Sequence, residues 1–179
     1  MHRRDFLKTT AAALSLLPDC PGSSLRRALT AGQESSRAAE RPRVAAIFTE
    51  FRFRSHAYDI LENFFRPYLF NGSLVDPGVD VVSFYADQFP DKEMSREVSQ
   101  RLDVPLFDSI NDALCVGKNE LNVNAVLSIG EHGDYPKSAL GQTMYPRKRF
   151  FDEAVAVMKR SDRFVPLFND KHLSYRWDW

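Results

Sequence analysis

The chain has 179 residues and 24 basic against 24 acidic side chains, so its formal net charge is zero with neutral histidines. That length suffices for one domain with a real core, and zero net charge argues against a dedicated nucleic-acid binder, which needs a basic face to neutralise phosphate. No apolar run approaches the roughly 20 residues that span a bilayer, so no permanent membrane anchor is expected.

The first stretch is an address. "HRRDFLKTTAAALSLL" (2–17) has Arg3, Arg4 and Lys8 ahead of a mildly apolar run, the order of an export signal. Arg3-Arg4-Asp5-Phe6-Leu7-Lys8 closely resembles the twin-arginine motif R-R-x-F-L-K. The resemblance implies a bacterial or archaeal protein exported already folded, through the twin-arginine translocon, to the periplasm or the cell exterior. Leu29-Thr30-Ala31 is the best approximation to a cleavage site, which makes 1–31 the signal and 32–42 a linker. From Pro21 to Pro42 the chain is rich in Ser, Arg, Ala, Gly and Glu and reads as disordered. Cys20 falls in the signal, so Cys115 is alone in the mature domain and is expected to be a small core residue.

A domain is expected over 43–174, with a tail at 175–179. "RVAAIFT" (43–49) reads as a buried strand. Ser55 can cap a helix from His56 to about Phe65, where Pro67 ends it. "NGSLVDPG" (71–78) is a turn-rich insert, and "VDVVSFYA" (79–86) is a second strand. A polar helix runs from Asp91 to Leu102, followed by a short third strand, "VPLF" (104–107). Helix "DSINDALCV" (108–116) and strand "VNAVLSIG" (123–130) come next. "PRKRFFDEAVAVMKR" (146–160) is an amphipathic helix with Pro146 in its first turn, its basic start solvated or, through Arg147 and Arg149, turned to the sheet edge. "RFVPLF" (163–168) is the fifth strand. Strands alternating with helices predict an α/β fold: a three-layer, Rossmann-like parallel sheet, strand order 3-2-1-4-5.

The run "VPLFDSINDAL…NVNAVLSIG…RFVPLFNDKHLS" resembles the amino-terminal domain of the Gfo/Idh/MocA oxidoreductases. In that family a short strand and helix precede a "VDAVLI" strand, and a later strand ends in "EKPLA". Here "NDKHLS" (169–174) holds that last place, Lys171 matches the family's lysine, and His172 replaces its proline. The resemblance implies a small-molecule oxidoreductase using NAD or NADP, with Lys171 and His172 near the reacting carbon and His132 placing substrate or cofactor. Cofactor contacts would come from Thr49, Glu50, Arg52, Arg54, Ser55, His56, Gly130, Glu131 and Asp170. The chain departs from the family at its first turn, where "TEFRFRSHA" replaces G-x-G-x-x-G. Bulky residues there oppose the close approach of a pyrophosphate. Either Arg52, Arg54 and His56 bind an anion through side chains, or Phe51 and Phe53 plug the crevice and the arginines are solvated.

Ends of the predicted strands carry the remaining chemistry. "SIGEHGDYP" (128–136) packs Glu131, His132 and Asp134 between glycines, at the edge where open α/β sheets bind ligands. Strand five adds Asp170, Lys171 and His172, and strand one adds Glu50, Arg52 and His56. Three of the four histidines thus share one edge. Three functions compete. The first is an exported, divergent oxidoreductase-like domain. The second is a module binding a small anion or a partner without catalysis. The third is a metal-dependent hydrolase using Glu131, His132, Asp134 and His172, although no HExxH or paired-His spacing supports a metal. The family's sheet-rich second domain does not follow, and the chain ends in "YRWDW". A truncated gene product, or an oligomer or partner covering the fifth strand and the tail, is therefore expected.

Overall fold

The computed structural model describes residues 40–174, 176 and 178. The signal at 1–31, most of the linker, and Trp177 and Trp179 lie outside the described residues.

Strand β1 (Arg43–Phe48) is buried from Val44 onward. It is central and covered on both faces, which is why its sequence is continuously apolar rather than alternating. It pairs in parallel with β4 (Asp80–Ala86) and with β6 (Ala125–Ile129). Beyond β4 lies the two-residue β5 (Leu106–Phe107), and beyond β6 lies β7 (Leu167–Asn169). The order β5-β4-β1-β6-β7 is all parallel.

Between β1 and β4 the chain makes a small antiparallel hairpin, β2 (Tyr68–Phe70) and β3 (Ser73–Val75). Asn71 and Gly72 turn it with φ of 47° and 78°, the positive values that make Asn-Gly a hairpin turn. The sequence reading saw the turn and missed the three-residue strands beside it. Counted without this hairpin, the main sheet runs 3-2-1-4-5.

Side chains leave the strands on alternate faces, and two cores result. Ala45, Ile47, Tyr85 and Val126 meet α3 (Ile110–Cys115) and α4 (Arg147–Arg160) on one face. Val44, Ala46, Phe48, Phe84, Leu127 and Ile129 meet α1 (His56–Leu61) and α2 (Ser95–Leu102) on the other. Cys115 is buried in the first core, as a small apolar side chain.

Three boundaries differ from expectation. Helix α1 stops at Leu61, and Phe64 and Phe65 pack on the core from the turn that leads to Pro67. Helix α2 starts at Ser95 because Glu93 accepts from Ser95 N (2.9 Å) and Ser95 Oγ (2.8 Å), while residues 91–94 form a turn. Strand β7 starts at Leu167 rather than Arg163. The Arg163 guanidinium is instead bonded to the carbonyls of Leu121 (3.2 Å) and Val123 (2.7 Å). No helix among the described residues is long and apolar enough to cross a membrane.

Candidate functional site

Strand order reverses between β1 and β6, and their carboxyl ends define the crevice where such sheets hold ligands. Here side chains cross it. Thr49 donates its hydroxyl to Glu131 O, and Thr49 N bonds Ile129 O (3.3 Å). Glu50 is 4% exposed and forms an ion pair with the half-exposed Arg52.

The first turn is closed by its own bonds. Ser55 Oγ caps α1, accepting from Tyr58 N (3.2 Å) and Arg52 N (3.2 Å). Phe51 N goes to Glu93 (3.1 Å), and Ser55 N goes to Arg52 O (2.9 Å). A pyrophosphate at a glycine turn is held by free backbone N–H groups, and here those of Phe51, Arg52, Ser55 and Tyr58 already have partners. The turn carries the bulky Phe51, Arg52, Phe53 and Arg54 where a glycine turn would let the backbone approach a pyrophosphate. Neither sequence reading of this turn survives whole. Phe51 is in the core, whereas Phe53 is exposed with Arg54 stacked on it at 5.2 Å. Arg52 is half-exposed and paired through its Nε with the buried Glu50.

Downstream of this turn, three strand ends converge. His56, at the start of α1, meets Asp170, just past β7, with Nδ1 and Oδ2 2.8 Å apart. Asp170 is itself fixed through its N–H to Ser128 O (3.0 Å). Glu131, just past β6, brings a carboxylate oxygen to within 4.8 Å of ligand atoms on both His56 and Asp170. His132 sits beside them, its ring centroid 5.1 Å from that of His56. It has φ of 69°, and its buried Nδ1 has no partner. Burial, and then the positive charge of Arg52 and His56, hold the His132 imidazole below its ordinary pKa, which favours the neutral ring.

Arg147, the first residue of α4, organises the other side. It is 7% exposed and not a solvated helix start. Its Nε donates to Gly130 O (2.8 Å) and one terminal nitrogen to Glu131 (2.7 Å). The other lies 2.9 Å from His172 Nε2. Gly130 is required by this packing, because a Cβ there would lie 2.6 Å from Arg147 Cγ.

Two expected members stand apart. Asp134 is exposed, its backbone clasped by the Gln88 amide at 2.8 Å on both N–H and C=O. Lys171 is exposed and makes no ion pair among the described residues. The set Glu131, His132, Asp134 and His172 is thus not assembled as one cluster; the group that converges is His56, Glu131 and Asp170.

Beside the site, and unread in the sequence, is a supporting network around Asp87. Tyr85 OH (2.6 Å), Tyr135 OH (2.7 Å) and Arg149 all donate to its carboxylate. Burial pushes the Asp87 carboxyl up, but these three hydrogen bonds outweigh it and hold it below its ordinary value. Tyr135 is pushed well above the usual phenol value by burial and then by Asp87.

Two outcomes are expected. Gly130→Ala should displace the Arg147 side chain and cost about 1–3 kcal/mol, as overpacking does, read as a lower urea midpoint. Asp87 has a folded pKa below its unfolded value. Its contribution is therefore complete above the ordinary carboxylate range and is lost as pH falls through the lower, folded pKa. The stability gap between the wild-type chain and Asp87→Asn should be constant from neutral pH down to about pH 5 and shrink below it, measured by urea unfolding across pH.

No family model matches the chain, and neither curated proteins nor solved structures provide a match.

Proposed function

We propose that this chain is an exported Rossmann-like domain that binds a small polar molecule at the carboxyl edge of its sheet. In this reading it is a divergent relative of the Gfo/Idh/MocA amino-terminal domain that does not hold nicotinamide in the family's way. One observation carries the reading: His56, Glu131 and Asp170 come from three separate chain segments to one half-buried point beside the strand-order reversal. Ionisable groups assembled at that position are the usual mark of a ligand site in open α/β sheets. The His56–Asp170 pair adds a capacity for proton transfer, since an imidazole beside a carboxylate can give or take a proton at a bound ligand. Arg147 holds Glu131 in place and turns its remaining donors toward His172.

Thermal unfolding of the full chain, treated with chelator, against a panel of sugars, polyols and hydroxy acids tests this reading. A ligand at ten times its Kd should raise Tm by about 3–6 °C, and His56→Gln should abolish the rise. NAD and NADP should give none. A panel without effect, or a nicotinamide shift that survives His56→Gln, would count against it.

Export rests on the twin-arginine resemblance. Residues 1–42 fused to a folded reporter should carry it across the bacterial inner membrane, and replacing Arg3 and Arg4 together by lysine should stop this. Continued export of the lysine pair would remove the twin-arginine route.

A further inference from the structure

We propose that His56, Glu131 and Asp170 form a site for a divalent first-row transition cation of the zinc class. The inference rests on the edge being the ligand site and names what that site holds.

The geometry is close to what such an ion needs. One ligand atom from each of the three residues lies within 4.8 Å of the other two. Ligand atoms around a tetrahedral zinc, at about 2.0–2.2 Å from the metal, stand roughly 3.3–3.6 Å apart. The His56–Asp170 contact of 2.8 Å therefore opens by less than about 1 Å, and a separation at the 4.8 Å bound closes by roughly 1.2–1.5 Å.

Charge and donor chemistry point the same way. Two carboxylates face one guanidinium: among the described residues, Arg147 pairs with Glu131, and Asp170 pairs with His56 alone. A dication would balance that excess. Imidazole with carboxylate suits zinc, cobalt or iron, whereas calcium and magnesium take oxygen donors. The surrounding bonds are those of an outer shell: Arg147 orients Glu131, Thr49 holds the Glu131 carbonyl, and Ser128 O fixes the Asp170 backbone.

A separate observation comes from unsatisfied atoms. Among the described residues, three buried side-chain polar atoms lack a partner: Ser128 Oγ, His132 Nδ1 and Asn169 Oδ1. Buried polar atoms are nearly always bonded. All three belong to residues at the carboxyl ends of β6 and β7, where Ser128 and Asn169 are register partners and His132 adjoins the proposed ligand Glu131.

The test is zinc titration of the full chain, freed of metal by chelator, in competition with a chromophoric chelator. One zinc per chain is expected. His56→Gln and Asp170→Asn should each weaken binding by about 100-fold, the upper end of what loss of an outer-shell partner costs, and the exposed Glu120→Gln should leave it unchanged. Absence of zinc binding, or equal affinity in both folded ligand variants, overturns the proposal. Should either variant fail to fold, imidazole nitrogen NMR of the wild-type chain decides: zinc must shift the ring signals of His56, and unmoved signals overturn it. Small-molecule stabilisation that persists in chelator while zinc fails to bind overturns this inference alone and leaves the proposed function standing.

Discussion

Burial of Arg147 is the constraint on which the site depends. A guanidinium taken out of water must find charge and acceptors close by, or its desolvation outweighs any packing it provides. Arg147 finds them in a carbonyl, a carboxylate and an imidazole drawn from the ends of β6 and β7. The first residue of α4 is thereby tied to two neighbouring strand ends. Gly130 is the concession the backbone makes to let the side chain pass. Glu131 inherits a fixed orientation from this contact, and the Thr49 hydroxyl secures its carbonyl from the β1 side.

Around that anchor, the parallel sheet does the positioning. In a parallel sheet every strand delivers its carboxyl end to the same edge, so residues far apart in sequence become neighbours without long loops. His56 and Asp170 are 114 positions apart and meet at 2.8 Å. The same edge also carries a purely structural network, in which Asp87 gathers two phenols and a guanidinium. Charged residues at such an edge thus divide into those paired for support and those left in reach of a ligand. Glu50–Arg52 and Asp87–Arg149 belong to the first kind. In the proposed reading, His56, Glu131 and Asp170 belong to the second.

The strands were legible because burial on both faces demands unbroken apolar runs, and "VAAIF" and "AVLSI" are such runs. Topology followed from the alternation of strand and helix. Boundaries were less legible where a single side chain set them. Glu93 fixes the start of α2 through two bonds to Ser95, and nothing in the local pattern distinguishes it from the other acidic residues nearby. Arg163 reads as the opening of a strand and acts as a clamp on two carbonyls instead. At the site, topology alone brought His56, Glu131 and Asp170 to one edge. It did not separate Asp134, three residues past Glu131 and turned to solvent, from its neighbours. Arg147 was the hardest to read. A basic helix start is usually solvated; the alternative reading, that Arg147 and Arg149 turn to the sheet edge, is what the structure shows, and only the third dimension reveals which carboxylate each one meets.

The sheet ends on both sides in very short strands, two residues at β5 and three at β7. Pro166, immediately before β7, accepts from Val126 N and has no N–H of its own to offer outward. An incoming strand from another molecule would find few open ladder positions at either margin, and a proline at the threshold of one of them. Natural sheets use short, proline-flanked margins to resist edge-to-edge association. Margins of this kind keep neighbouring copies of a folded domain from zipping together wherever its local concentration is high.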